Sequence, residues 1–170
     1  SAYVQYGMNF DLFSRNANLL VGVRYEKTDL EAVSNQIVPL GLIWQDNNDF
    51  SEQQGSVMSS LKVENDYDYL LPNLDFDIEV VDNVKARFSY SKTIARAQYN
   101  QLRAAIDVGG SQGSSLNGFN PTANAANPLL EPLESDNIDL SVEWYFGDAS
   151  YLSAGFFHKK VANFIGNEVT

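Results

Sequence analysis

The chain has 170 residues, with 22 acidic and 11 basic side chains and a formal net charge of -11. That balance argues against nucleic acid, whose binding is driven by Lys and Arg neutralising phosphates, and against docking on an anionic lipid surface through a basic patch. Cysteine is absent, which leaves no disulfide framework and no thiolate metal site.

No apolar run reaches the roughly 18 residues of a transmembrane helix. A barrel strand needs only about 9–11 residues, of which every second one is apolar. The opening "SAYVQYGMNF" has no basic region followed by a continuous apolar stretch, so any signal peptide is expected to have been removed or to lie outside this chain.

Period-2 alternation begins at once. In "AYVQYGMNFDLF", Ala2, Val4, Tyr6, Met8, Phe10 and Leu12 share one face, and Tyr3, Gln5, Gly7, Asn9 and Asp11 the other. A turn around Ser14-Arg15-Asn16-Ala17 leads to "NLLVGVRYEKT", with Leu19, Val21, Val23 and Tyr25 on its apolar face. A long segment from about 31 to 66 follows and reads mainly as a connection. Its "IVPLGLIW" and "SVMSSLKV" are candidates to prolong the flanking strands, with Pro39 confining one to an edge or irregular position.

The second hairpin is "LPNLDFDIEV" with "VKARFSYSKT". Leu74, Phe76, Ile78 and Val80 face one way with Val84, Ala86, Phe88 and Tyr90. Asp75, Asp77 and Glu79 face the other with Lys85, Arg87, Ser89 and Ser91. Directly opposed residues share a face. That permits Phe76 opposite Phe88 and Val80 opposite Val84 around a Val81-Asp82-Asn83 loop. Glu79 then meets Lys85 and Asp77 meets Arg87, a ladder of opposite charges.

A second long segment, from about 94 to 134, holds "GGSQGSSLNGFNPTANAANP" and reads as loop. The third hairpin, "NIDLSVEWYFGDASYLSAGFFHKKVANFI", sets Ile138, Leu140, Val142, Trp144 and Phe146 against Asn137, Asp139, Ser141 and Glu143. Past Gly147-Asp148-Ala149-Ser150 the alternation resumes with Leu152, Ala154 and Phe156. Connections thus alternate between short and long, as in outer-membrane barrels with short periplasmic turns and longer extracellular loops. Trp144, Tyr145 and Phe146, like Phe10 and Phe13, sit at the short-turn end, where an interfacial aromatic girdle would lie.

The expected fold is all-β: about six antiparallel up-and-down strands in three hairpins, which the family resemblance given below implies form part of a large transmembrane barrel. Val21, Val23, Phe76, Phe88, Leu140, Val142 and Trp144 are the candidate lipid-facing residues. Asp75, Asp77, Glu79, Lys85, Arg87, Asp139 and Glu143 are the candidate lumen or ligand-path residues. The bland alternatives are an ordinary hydrophobic core for the aromatics and a solvated, self-paired face for the charges.

Catalysis is not expected. Two carboxylates flanking a substrate would suit glycoside hydrolysis, but these acids alternate along one strand beside basic residues. Metal and cofactor sites are not expected either. "DNNDFSEQQG", from Asp46, fails the calcium-loop pattern because Phe50 and Ser51 occupy key ligand and glycine places. His158 is the only histidine, and "GGSQG" lacks the following Lys-Ser/Thr of a phosphate loop.

"YDYLLPNLDFDIEVVDNVKARFSYSKTIAR" resembles the strand–turn–strand segment of TonB-dependent outer-membrane receptors. "NPLLEPLESDNIDLSVEWYFGDASYLSAGFFHKKVANFI" resembles their Asn-Pro-x-Leu-x-Pro…Glu-Trp-Tyr-Phe segment, and "NLLVGVRYEKTDL" their Gly-x-Arg-Tyr strand. One departure is Arg96-Ala97, where the family commonly has Arg-Pro. A barrel of this kind has roughly 22 strands, so the resemblance implies that residues 1–170 are an excerpt, with the plug domain and TonB box not in this chain. It further implies residence in a Gram-negative outer membrane, with lipid as a partner. Transport would be energised by the TonB–ExbB–ExbD complex acting through regions absent here. Ferric siderophores, cobalamin or oligosaccharides are the implied ligands, and the Glu-Trp-Tyr-Phe signature resembles that of oligosaccharide importers. A soluble β-sandwich binding module and a passive porin are the alternatives.

Overall fold

The computed structural model describes residues 1–46, 49–109, 113–114 and 122–166. The strands are β1 (Ala2–Leu12), β2 (Arg15–Asp46), β3 (Asp49–Val81), β4 (Val84–Ala95), β5 (Ile106–Gly109), β6 (Gly113–Ser114), β7 (Thr122–Ala125), β8 (Leu133–Gly147) and β9 (Ser150–Ala162). A short 3-10 helix spans Tyr99–Leu102. The main sheet runs β1-β2-β3-β4-β8-β9, with β6 beside β3, and β5 pairs with β7 in a second, two-stranded sheet. The antiparallel meander of three hairpins is therefore as expected.

The chain divides into two compact units. The first comprises Ser1–Thr28, Tyr67–Arg96 and Glu131–Thr170. Its alternation forms strands because each successive side chain must change face, so a two-step pattern sorts apolar from polar groups. The register bears this out: Phe76 pairs with Phe88, Phe88 with Leu140 and Ala86 with Val142, Trp144 with Leu152 and Leu140 with Phe156.

The turns are tighter than expected. The first is Phe13-Ser14, not Ser14–Ala17, with φ of 53° and 63°. Positive φ at both central residues is the signature of the turn whose twist matches a hairpin. In the second hairpin Val81, not Val80, pairs with Val84, and the register shifts between Glu79 and Val81. The connection is Asp82-Asn83 alone, with Asn83 at φ 65°. The extra residue, Val80, is absorbed as a bulge. β8 and β9 shift likewise between Tyr145 and Gly147, around Asp148-Ala149. These turns lie at one end. Arg15 forms an ion pair with Asp82, and the Tyr145 amide donates to the Asn83 carbonyl at 2.8 Å.

The second unit comprises Asp29–Asp66 and Ala97–Leu130. Residues 31–66 are not a loop: β2 runs on to Asp46 and β3 starts at Asp49. Pro39 lies inside β2, beyond the Ala2–Tyr25 pair at which the β1 ladder stops, so its missing N–H breaks no bond on that side. Residues 94–134 are partly regular too. Besides the 3-10 turn and the β5–β7 pair, the Asn127 amide donates to the Gln101 carbonyl at 2.9 Å and the Asn65 amide to the Pro128 carbonyl at 3.3 Å. Most of the Gly/Ser stretch at 110–121 lies outside the described residues, as do 47–48 of the weighed calcium-like segment.

Candidate functional site

In the first unit the apolar face is uncovered. Ala17 and Pro132 carry the only buried apolar side chains among those described in this unit, whereas Leu140, Val142 and Trp144 are 46%, 49% and 50% exposed. Val21 and Val23 are exposed as well, and the opposed Phe76 and Phe88 are half-buried. A second sheet on this face would have buried such side chains. Trp144 and Phe146 touch with ring centroids 5.1 Å apart, and Tyr145 stacks on Tyr151 at 6.0 Å, all at the short-turn end.

The apolar face ends at the row Tyr90–Ile138–His158, and the next row on that face is Lys92–Asp136–Lys160. Lys92 also reaches Glu134. From Trp144 to Ile138 the band covers roughly 20 Å along the strand at about 3.3 Å per residue.

The opposite face is polar and cross-linked, along lines the sequence suggested only in part. Glu79 lies opposite Lys85 and Asp77 opposite Arg87, as expected, yet the side chains bond elsewhere. Asp77 accepts from the Asn18 amide at 2.8 Å, and Asp75 from the Ser89 hydroxyl at 2.7 Å. Arg87 pairs with Glu143 at 3.3 Å, and Glu143 also accepts from the Tyr145 hydroxyl at 2.6 Å. Glu79 turns back to the Asn83 amide at 3.3 Å. Lys85 and Asp139 are exposed, opposite Glu143 and Ser89 respectively. Arg87 thus ties β4 to β8, and Asp77 ties β3 to β2. Asn9, Asn18, Asp75 and Asp77 line part of a shallow depression of about 250 Å³.

Sequence reasoning missed the strongest polar clusters. Glu26 is 7% exposed and lies between Arg24 at 2.6 Å and Arg96 at 2.5 Å. Asn137 donates to the Ser91 carbonyl at 3.2 Å and the Thr93 hydroxyl at 3.3 Å, and accepts from Ser135 at 2.9 Å. Arg24 and Glu26 do alternate on the polar face of β2, a visible signal. Arg96 is 70 residues from Glu26, and only strand pairing joins them. Among the described residues no group of three or more His, Cys, Asp or Glu is placed to hold a metal.

A meander with neighbouring strands in chain order, two-residue turns at one end and an uncovered apolar face has the architecture of an up-and-down barrel wall. The chain matches, over residues 1–170, the family described as TonB dependent receptor-like, beta-barrel. It belongs to that family, whose members are transport receptors of the Gram-negative outer membrane. Neither a curated protein nor a solved structure matches the chain.

Proposed function

We propose that residues 1–170 form part of the wall of a larger barrel that imports a bulky ligand with energy delivered through TonB. The apolar face meets lipid and the charged face meets the lumen. The short turns lie at the periplasmic rim, and the ligand is first bound by extracellular loops. The ligand is drawn from the class of ferric siderophores, cobalamin and oligosaccharides. The plug, the TonB box and the contacts with TonB–ExbB–ExbD belong to other parts of the polypeptide. One observation carries the reading: the face bearing Leu140, Val142 and Trp144 is apolar and exposed.

The terminal strands support it. β1 and β9 end the sheet, and in hydrocarbon an unpaired strand edge has no water to satisfy its N–H and C=O groups. Both edges therefore require further strands. Charge on the lumen side supplies polar contacts for a hydrated ligand, and the Arg87–Glu143 and Asn18–Asp77 links hold that wall rigid from strand to strand.

Cysteine labelling in bilayers tests this. Single cysteines at positions 140, 142 and 144 of the full-length protein should react with a lipid-soluble reagent and resist a water-soluble one. Cysteines at 139, 141 and 143 should do the reverse. Shielding of the first set from both reagents would mean protein covers that face, and the proposal would fail.

A further inference from the structure

Glu26 is nearly buried, and each of its carboxylate oxygens is taken by a different arginine: Oε1 by Arg24 at 2.6 Å and Oε2 by Arg96 at 2.5 Å. Arg96 also donates to the Thr28 hydroxyl at 3.3 Å. Elsewhere the ratio of charges differs. Arg15 pairs with Asp82, Arg87 with Glu143 and Lys92 with Glu134, while Lys62 lies between Glu31 and Glu64. At Glu26 two cations share one anion, which leaves one net positive charge in a chain of net charge -11.

That surplus is presented to solvent. The Glu26 side chain is 8% exposed, but those of Arg24 and Arg96 are 56% and 51% exposed. A guanidinium carries five N–H donors in a rigid fork, and a single shared carboxylate occupies only part of two forks. Glu26 fixes both forks in place, so little side-chain entropy remains to be lost on binding. Tyr3 lies directly opposite Arg24 on β1 and is 71% exposed. Opposed residues share a face, so Tyr3 and Arg24 both project from the polar side of the sheet.

We propose that Arg24 and Arg96, clamped on Glu26, form an oxyanion subsite of the transport path. It takes a carboxylate, sulfate or phosphate group of the ligand, with Tyr3 stacking on the ring that bears it. Charge-assisted bonds from arginine to such groups are short, strong and often bidentate. The subsite deepens the transport reading above and rests on the polar face being the lumen.

The test uses the full-length protein in detergent, titrated with trigalacturonate, inorganic sulfate and, as a neutral control, maltotriose. Trigalacturonate and sulfate should bind and compete with each other, while maltotriose should not displace sulfate. Replacing both arginines, Arg24→Gln with Arg96→Gln, should weaken both anions at least about tenfold, as expected for lost charge-assisted contacts. The Arg24→Lys, Arg96→Lys pair should retain part of the sulfate affinity because it keeps the charge. Tyr3→Ala should weaken trigalacturonate and leave sulfate unchanged.

Absence of binding by both anions, or equal binding to the Gln variant, would overturn the subsite. Heat-modifiable migration on gels separates a misfolded variant from a folded one that has lost the anion. Energised uptake is scored in parallel. A Gln variant that inserts, imports normally and binds anions unchanged removes the subsite and leaves the transporter. A protein that is not in the outer membrane, yet loses anion binding with the arginines, removes the transporter and leaves Arg24 and Arg96 as an anion site with no transport path.

Discussion

The third hairpin and the part of the β2–β3 hairpin within Asp29–Asp66 obey different rules. In β8, Leu140, Val142 and Trp144 share a face with Leu152, Ala154 and Phe156 of β9, and polar residues alternate between them. In β2, Leu42, Ile43 and Trp44 are consecutive and all exposed, at 57%, 43% and 60%. Neighbouring residues in a strand point to opposite faces, so both faces of that ribbon carry exposed apolar groups. The β8–β9 hairpin carries apolar groups on one face and polar groups on the other. The β2–β3 ribbon shows no such division, and its contacts are polar ties along the ribbon: Lys62 to Glu31 at 3.2 Å and to Glu64 at 2.6 Å, and the Gln45 amide to the Ser51 hydroxyl at 2.6 Å. Strict alternation sorts apolar from polar groups across the sheet; its loss leaves both kinds on each face.

The sharpest way to break this contrast is a charge on the apolar face. Val142→Arg lies within the apolar band and should cost about 2–4 kcal/mol, read as a fall in the urea midpoint in bilayers. Ser141→Arg, one residue away, should fold almost as the parent does and alter ligand passage instead. Leu42→Arg in the ribbon should change stability little, because water is already the neighbour there. Equal losses at 142 and 42 would erase the distinction between the regions.

Next in size is the carboxylate beneath the two arginines. Glu26→Gln removes the one anion that holds them and leaves two cations facing each other. It should cost about 1–3 kcal/mol, reduced from the value for a fully buried pair by the exposure of both partners. Chemical denaturation would measure it. Glu64→Gln in the ribbon should not register by the same method.

A smaller effect is expected at the second turn. Asn83 adopts φ 65°, which asparagine tolerates and a β-branched residue does not. Asn83→Val should cost about 1–2 kcal/mol, while Asn83→Gly should be close to neutral. Refolding yield into vesicles would separate the two.

The smallest concerns pH. In the ribbon, Lys62 holds the Glu64 carboxyl below the usual carboxylate range, while Glu64 first and Glu31 second raise the Lys62 ammonium. For the carboxyl, the folded value is depressed. Its contribution is complete above the ordinary glutamate range and is lost as pH falls through the folded value. For the ammonium, the folded value is raised. Its contribution is complete below the ordinary lysine range and is lost as pH rises through the folded value. Amide protection along 58–66, with exchange rates corrected for their intrinsic pH dependence, should fall at both extremes and be steady between them, and Lys62→Met should abolish both changes.

Much of the first unit was legible because alternation is a local property. The parity of Val21, Phe76, Phe88 and Val142 follows from side chains changing face at every residue, and opposed residues must share a face. The bulge at Val80 was not legible. Counting back from Val84 gives an unbroken ladder, and only the twist demanded by a two-residue turn displaces one residue. The length of β2 and β3 was hidden as well, since Pro39 and the mixed pattern around Leu42–Trp44 imitate a loop. Neither obstacle stops a strand whose partner supplies the hydrogen bonds.

The face of each strand residue, the hairpin order and the family were already determined by the order of residues along the chain, because they depend on local period and on motifs a few residues long. Which charged groups touch was decided only by the folded sheet. Asp77 faces Arg87 across a ladder yet bonds Asn18, since each strand has two neighbours and a side chain leans toward whichever offers the better donor. Arg96 reaches Glu26 across 70 residues of chain, a distance at which no local pattern carries information and only the pairing of strands brings the two groups together.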